Sequence, residues 1–131
     1  QRRMYDASPP GTSFALDLSG LEDAAVTVLE ARDVDALLGV GALLELSATE
    51  GEIKSMRTAD TALRRGVGQA LLDRIIGIAR ERGYRRVLLE TGTGETFEPA
   101  NRLYLRNGFT RCAPFGEYAE TDFNIFYELA L

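Results

Sequence analysis

Leu63-Arg64-Arg65-Gly66-Val67-Gly68-Gln69-Ala70-Leu71-Leu72 is the stretch on which the reading of this chain turns. Two glycines flank one apolar residue, two arginines precede them, and an amphipathic run follows at once. A turn of this kind presents several backbone N–H groups at the start of a helix, with no β-carbon in the way. Those unpaired donors and the positive end of the helix dipole make a site for phosphate or pyrophosphate. The arginines add charge-assisted contacts. The pattern predicts a phosphorylated cofactor at this turn.

Composition narrows the partners. The 131 residues suffice for one domain, and the apolar share of 45% is that of a globular protein with a real core. The net charge of −5 argues against nucleic acid or an anionic membrane, since both need a basic face. A single cysteine, Cys112, excludes an internal disulfide framework and a cysteine-based zinc site. The absence of histidine removes the usual general base, the usual triad partner and the commonest metal ligand. No metal is implied. No signal peptide and no long apolar span is visible, so the expectation is a cytoplasmic protein.

Outward from the glycine turn, helical spacing continues through Val67, Leu71, Ile75 and Ile78, with Arg74, Arg80, Glu81 and Arg82 on the other face and Gly83 as the stop. Upstream, 25–31, 36–46 and 52–58 read as strands joined by turns at 32–35 and 50–51, an antiparallel meander. Gly39 and Gly41 favour a buried strand over a helix for 36–46. Downstream, 86–90 reads as a strand, so 52–90 is a βαβ unit with a parallel pair. A loop at 91–94, a helix over 98–107 bracketed by Pro99 and Gly108, and strands at 109–112 and 124–129 complete the pattern. Near the start, 8–13 reads as a loop and 17–23 as a short helix or turn resting on Leu16, Leu18 and Leu21.

Two familiar phosphate sites do not fit. A Walker A loop needs Lys and then Ser or Thr after its last glycine, where Gln69-Ala70 stand. A dinucleotide fingerprint needs Gly or Ala at Leu71, and its turn follows the strand directly, whereas the loop 59–65 intervenes here. Arg65-Gly66-Val67-Gly68-Gln69-Ala70 instead resembles the R/Q-x-x-G-x-G/A signature of the GNAT N-acetyltransferase superfamily. Ala100-Asn101-Arg102-Leu103-Tyr104-Leu105-Arg106-Asn107-Gly108-Phe109 resembles that superfamily's A-x-x-L-Y-x-x-x-G-F element, in the right order and separation. Gly51-Glu52-Ile53-Lys54-Ser55-Met56-Arg57-Thr58, Leu89-Glu90-Thr91-Gly92-Thr93 and Pro114-Phe115-Gly116-Glu117-Tyr118 are similar to segments of one bacterial subgroup. The resemblance is good over 36–131 and weak before it.

The resemblance implies a single α/β domain over 1–131, with a mixed, mostly antiparallel sheet, a central parallel βαβ unit and flanking helices. Its first strand and part of its first helix are expected before Gln1. The sheet is expected to splay beside the strand Glu52–Thr58 and to hold acetyl-CoA in the opening. Met56, Arg57 and Thr58 would line the pantetheine; Arg64, Arg65, Gly66, Val67, Gly68, Gln69 and Ala70 would hold the pyrophosphate. Tyr104 matches a tyrosine placed near the thioester sulfur. The asparagine often found seven residues before it is Phe97 here, and position 63 is Leu63 where longer signatures carry Arg or Gln.

The acceptor amine must lose a proton, and without histidine a carboxylate is the expected base. Glu52 and Glu90 are the candidates for that role, with Glu45 and Glu50 also placed near the cleft by this reading. Phe115, Tyr118, Phe123, Phe126 and Tyr127 either line an acceptor pocket or pack the core. Cys112 has no histidine to activate it and reads as a small buried side chain. The expected activity is acetyl transfer from acetyl-CoA to a primary amine of a small molecule, with a homodimer left open. A non-catalytic acyl-CoA sensor and a lysine or N-terminal acetyltransferase are the rival readings.

Overall fold

The structure, a computed structural model, describes residues 3–4, 15–18, 25–59 and 66–131. The elements run β1 (Arg3–Met4), β2 (Ala15–Leu18), β3 (Val26–Asp33), β4 (Ala36–Ser47), β5 (Glu50–Thr58), α1 (Val67–Glu81), β6 (Arg86–Gly92), α2 (Glu98–Arg106), β7 (Thr110–Arg111) and β8 (Asn124–Ala130). Their strands form one sheet in the order β1-β2-β3-β4-β5-β6-β8-β7. Every neighbouring pair is antiparallel except β5 and β6, which run parallel around α1. The fold is therefore the mixed, mostly antiparallel α/β sheet with a central parallel unit expected above.

Why α1 lies on this sheet is visible in two glycines of β4. A β-carbon at Gly39 would stand 2.8 Å from Val67 Cγ1 and from the Arg57 carbonyl oxygen; one at Gly41 would stand 2.9 Å from Ile75 Cδ1. The missing side chains let the helix settle against the strand. The helix in turn buries Leu71, Leu72 and Ile75 completely. Each such side chain contributes about 1.5–3 kcal/mol through the surface it removes from water.

Alternation along the strands then assigns the faces. Tyr127 of β8 meets the Tyr104 ring of α2 at 6.0 Å, so α1 and α2 share one side. Its neighbour Phe126 meets Phe115 at 5.8 Å and Tyr118 at 5.9 Å on the other.

Five local expectations change. Arg32 and Asp33 extend β3 by pairing with Leu37 and Ala36, which leaves Val34-Asp35 as the turn expected over 32–35. Asp17 and Leu18 belong to β2, paired with Glu30 and Leu29, and not to a helix or turn. The turn before β5 is Ala48-Thr49, and Glu50-Gly51 are already paired strand. Thr91 and Gly92 extend β6 by pairing with Ile125 and Asn124. Phe109 and Cys112 flank the two-residue β7 rather than forming part of it. The loop expected at 8–13, Leu21, and positions 60–65 of the loop 59–65 lie outside the described residues; Ala59 is described, and is non-strand as read. Among the described residues no helix is long and apolar enough to cross a membrane.

Candidate active site

The parallel pair ends early. β5 and β6 are in register from Glu50↔Arg86 to Ile53↔Leu89 and no further, although β5 continues to Thr58 and β6 to Gly92. Beyond Ile53, β5 pairs only with β4, and β6 only with β8, among the described residues. One edge of β5 is thus left with backbone donors and acceptors facing a gap. A bulge lies in the same segment: Lys54 pairs with Ala42 and Arg57 with Val40, so three steps on β5 oppose two on β4. The extra residue re-aims the backbone and reverses the side-chain alternation. Met56 consequently points to the helix side, where a β-carbon at Gly41 would lie 2.7 Å from its Sδ.

α1 begins at the head of this gap. Its N-cap, Gly66, has φ +78°, a left-handed conformation that glycine adopts without strain. Among the described residues no side chain caps the helix, and no acidic residue sits in its first turn. The Ala70 amide is spent on the Gly66 carbonyl at 3.0 Å, which leaves Val67, Gly68 and Gln69 as the donors without a partner among the described residues. A β-carbon at Gly68 would be 3.7 Å from Thr58 Oγ1 and 3.4 Å from Leu103 Cδ2, so the helix start stands between the end of β5 and α2. The Val67 side chain is buried in the core. The Gln69 side chain exchanges hydrogen bonds with the Asn107 amide at 2.8 and 2.9 Å and ties α1 to the end of α2. These residues can therefore offer an anion their backbone amides. Arg57 is exposed and Thr58 half-buried. Arg64 and Arg65 lie outside the described residues.

α2 is anchored on β6 by Asn101, whose Nδ2 donates to the Gly92 carbonyl at 3.1 Å. Tyr104 follows one turn later. Its ring is 5% exposed and packs on Phe109 at 5.6 Å as well as on Tyr127. Burial alone pushes its phenol up to about 12. It is a core aromatic whose hydroxyl stays protonated at any physiological pH.

The carboxylates separate into two pairs. Glu50 binds Arg86 Nε at 2.6 Å, and Arg86 also holds Glu128 at 2.8 Å; Glu45 accepts the Tyr84 hydroxyl at 3.0 Å. Both stand at the closed end of the parallel pair, engaged in structural contacts. This corrects their expected place near the cleft: the β5–β6 pair opens at its other end. Glu52 and Glu90 flank the point of divergence on the face away from the helices. Glu52 pairs with Leu88 one step before the last pairing, and Glu90 is the first residue of β6 beyond it. Glu52 is 4% exposed and accepts the Tyr118 hydroxyl at 2.6 Å. Burial first, then the hydrogen bond to Glu52, and then the charges of Glu52 and Glu90, keep that phenol protonated far above its ordinary range. Tyr118 was legible in the sequence only as an aromatic that either lines a pocket or packs; its partner lies 66 residues away, beyond any local signal. Cys112 is half-buried, and burial and Glu128 push its thiol up while Arg86 opposes them. A thiol held protonated is a poor nucleophile.

Comparison with known proteins bears on this geometry. The model of the Acetyltransferase (GNAT) family matches residues 2–109. The uncharacterized N-acetyltransferase YsnE of Bacillus subtilis is 46% identical over 119 residues, which span 91% of this chain and 79% of that protein. An IAA acetyltransferase of Azospirillum brasilense is 34% identical over 131 residues, 99% of this chain and 84% of that one. The crystal structure of a GNAT family acetyltransferase from Elizabethkingia anophelis, with acetyl-CoA bound, shares the fold at a TM-score of 0.73 and 17% identity, covering 91% of this chain and 99% of that chain.

Proposed function

The chain belongs to the GNAT acetyltransferase family and is an N-acetyltransferase, and from that premise we propose that it moves an acetyl group from acetyl-CoA to the primary amine of a small molecule by direct attack. The observation that carries this reading is the parting of β5 from β6 with three uncapped amides of α1 at its head. An extended chain fits the free edge of β5 as a strand would, and a pyrophosphate fits the amides of Val67, Gly68 and Gln69. In this reading the backbone of Met56, Arg57 and Thr58 pairs with the pantetheine, and Arg64 and Arg65 add charge at the pyrophosphate.

The acceptor approaches from the face that carries Glu52 and Glu90. Its nitrogen forms the bond to the acetyl carbon, the C–S bond breaks, and the nitrogen's proton passes to Glu52. Glu90 supplies a second negative charge that favours binding of the amine as its ammonium ion, which gives one proton to water before the neutral nitrogen attacks. A backbone N–H of the β5 bulge stabilises the charge that develops on the carbonyl oxygen. Tyr104 offers its hydroxyl to the departing sulfur. Cys112 takes no part, because burial and the charge of Glu128 hold its thiol protonated. The acceptor class draws on the relative named an IAA acetyltransferase, from which only the notion of a small acceptor is carried over.

Release of free CoA thiol from acetyl-CoA, followed across a panel of small amines and of lysine and N-terminal peptides, tests the proposal. Turnover with a small amine is the expected result. Turnover confined to peptides overturns the acceptor class, and hydrolysis-level rates with every amine overturn the reaction.

A further inference from the structure

One motif has no part in the cofactor gap or the core helices: Pro114-Phe115-Gly116-Glu117-Tyr118. The Tyr118 amide donates to the Phe115 carbonyl at 3.2 Å, closing a tight turn, and Gly116 within it has φ +59°, which a side chain would strain. The turn sets the rings of Phe115 and Tyr118 edge to face at 5.3 Å, and both rest on Phe126 of β8. Three mutually packed rings give Tyr118 one orientation. From it the hydroxyl reaches across β6 to Glu52 Oε2 on β5 at 2.6 Å, the length of a charge-assisted bond. Among the described residues this is the one side-chain hydrogen bond made to the Glu52 carboxylate.

Resting on the reading of Glu52 as the base, we propose that Tyr118 is a positioning residue for the acetyl transfer. Its hydroxyl fixes the buried Glu52 carboxylate beside the point where β5 and β6 part, and leaves Oε1 to meet the acceptor nitrogen. Tyr118 keeps its own proton throughout. The proton that moves is the amine's, to Glu52, as the C–N bond forms and the C–S bond breaks. Without the hydrogen bond the carboxylate samples other rotamers and loses the partner that offsets its burial. The 114–118 turn is in this way part of the catalytic apparatus without touching the substrate.

Steady-state kinetics on the wild type, Tyr118→Phe, Glu52→Gln and the double variant, with acetyl-CoA and an amine the wild type acetylates, tests this. Tyr118→Phe keeps the ring packing and deletes only the hydroxyl. The expected result is a fall in kcat of about 10- to 100-fold with the Kd for acetyl-CoA unchanged. Glu52→Gln falls at least as far, and the double variant no further than Glu52→Gln alone. Gly116→Ala, which strains the turn and spares the hydroxyl, repeats the kcat loss in smaller measure and only when Glu52 is present. Multiplicative losses in the double variant, or wild-type kcat in Tyr118→Phe beside an impaired Glu52→Gln, overturn the proposal. Wild-type turnover by Glu52→Gln overturns the base and the proposal together while the acetyltransferase reading stands. Absence of turnover by the wild type removes that reading itself.

Discussion

Gly68 separates the demands of the fold from those of the ligand. It sits in the first turn of α1, where among the described residues a β-carbon would make ordinary contacts with Leu103 and Thr58. Alanine is the better helix former there by up to about 1 kcal/mol. Gly68→Ala should therefore leave the melting temperature unchanged or raised. If acetyl-CoA lies on the amides of this turn, the same methyl group should weaken its binding at least about tenfold, or about 1.4 kcal/mol. Calorimetric titration reads the second effect, and wild-type affinity in a folded Gly68→Ala protein sinks the assignment of the turn. Tyr104 poses a different question. A phenol at about 12 stands well above an alkyl thiol at about 8.5, a gap worth about 4.8 kcal/mol against complete proton transfer to the leaving sulfur. A hydrogen bond to the sulfur in the transition state has no such cost. Tyr104→Phe is expected to lower kcat by about tenfold, the value of one such bond, with the Kd for acetyl-CoA unchanged. Turnover at the wild-type rate, with the chemical step shown to limit it, makes Tyr104 a packing residue.

Among the elements, α1 and β4 were the most legible, for opposite reasons. The stripe Val67, Leu71, Ile75 and Ile78 repeats at helical spacing, and all four side chains are buried. In β4 the glycines pointed to a strand because they are costly in a helix; their cause is the close approach of α1. β2 was not legible, because four residues, Ala15–Leu18, show too little alternation to outweigh neighbouring turn-forming acids. The parting of β5 from β6 entered only through family resemblance, and the bulge at 54–57 had no place in the sequence reading at all. They are made of backbone pairings between distant segments and leave no local mark on Ser55 or Met56. Glu52 and Glu90 were legible as candidates; Glu45 and Glu50 were not separable from them until register placed them at the closed end. α1 also holds a testable surplus. Among the described residues a β-carbon at Gly77 would meet only Arg74 Nη1, at 3.9 Å. Gly77→Ala should stabilise the protein by about 0.5–1 kcal/mol and raise the melting temperature by about 2–5 °C. The position is about 15 Å along the helix from its N-terminus, so activity should be unchanged. A lowered melting temperature means that something packs where the space looks open.

At the scale of the whole molecule, the sheet separates a helix-covered side from the side that carries the carboxylates. Tyr104, Phe109 and Tyr127 close the first, and Phe115, Tyr118 and Phe126 line the second. The buried phenol on the helix side links folding to alkaline pH. Below about pH 10 Tyr104 is protonated in the folded and the unfolded chain, and its contribution to stability is fully present. Between about pH 10 and the folded value of about 12 the unfolded chain gives up the proton and the folded chain keeps it, so rising pH favours unfolding. The loss approaches about 2.7 kcal/mol above that window, two units at about 1.36 kcal/mol each. Tyr84 and Tyr118 are also pushed up, by burial and by their carboxylate partners, and add to the alkaline loss in the same direction. Comparison with Tyr104→Phe isolates the one ring, because the other four tyrosines are common to both proteins. Urea unfolding at pH 9 and pH 11 should show the wild type losing about 1.4 kcal/mol more than the variant across that interval. Parallel losses in the two proteins mean that water reaches the Tyr104 hydroxyl in the folded state, and the gap between phenol and sulfur then narrows toward that of an ordinary tyrosine.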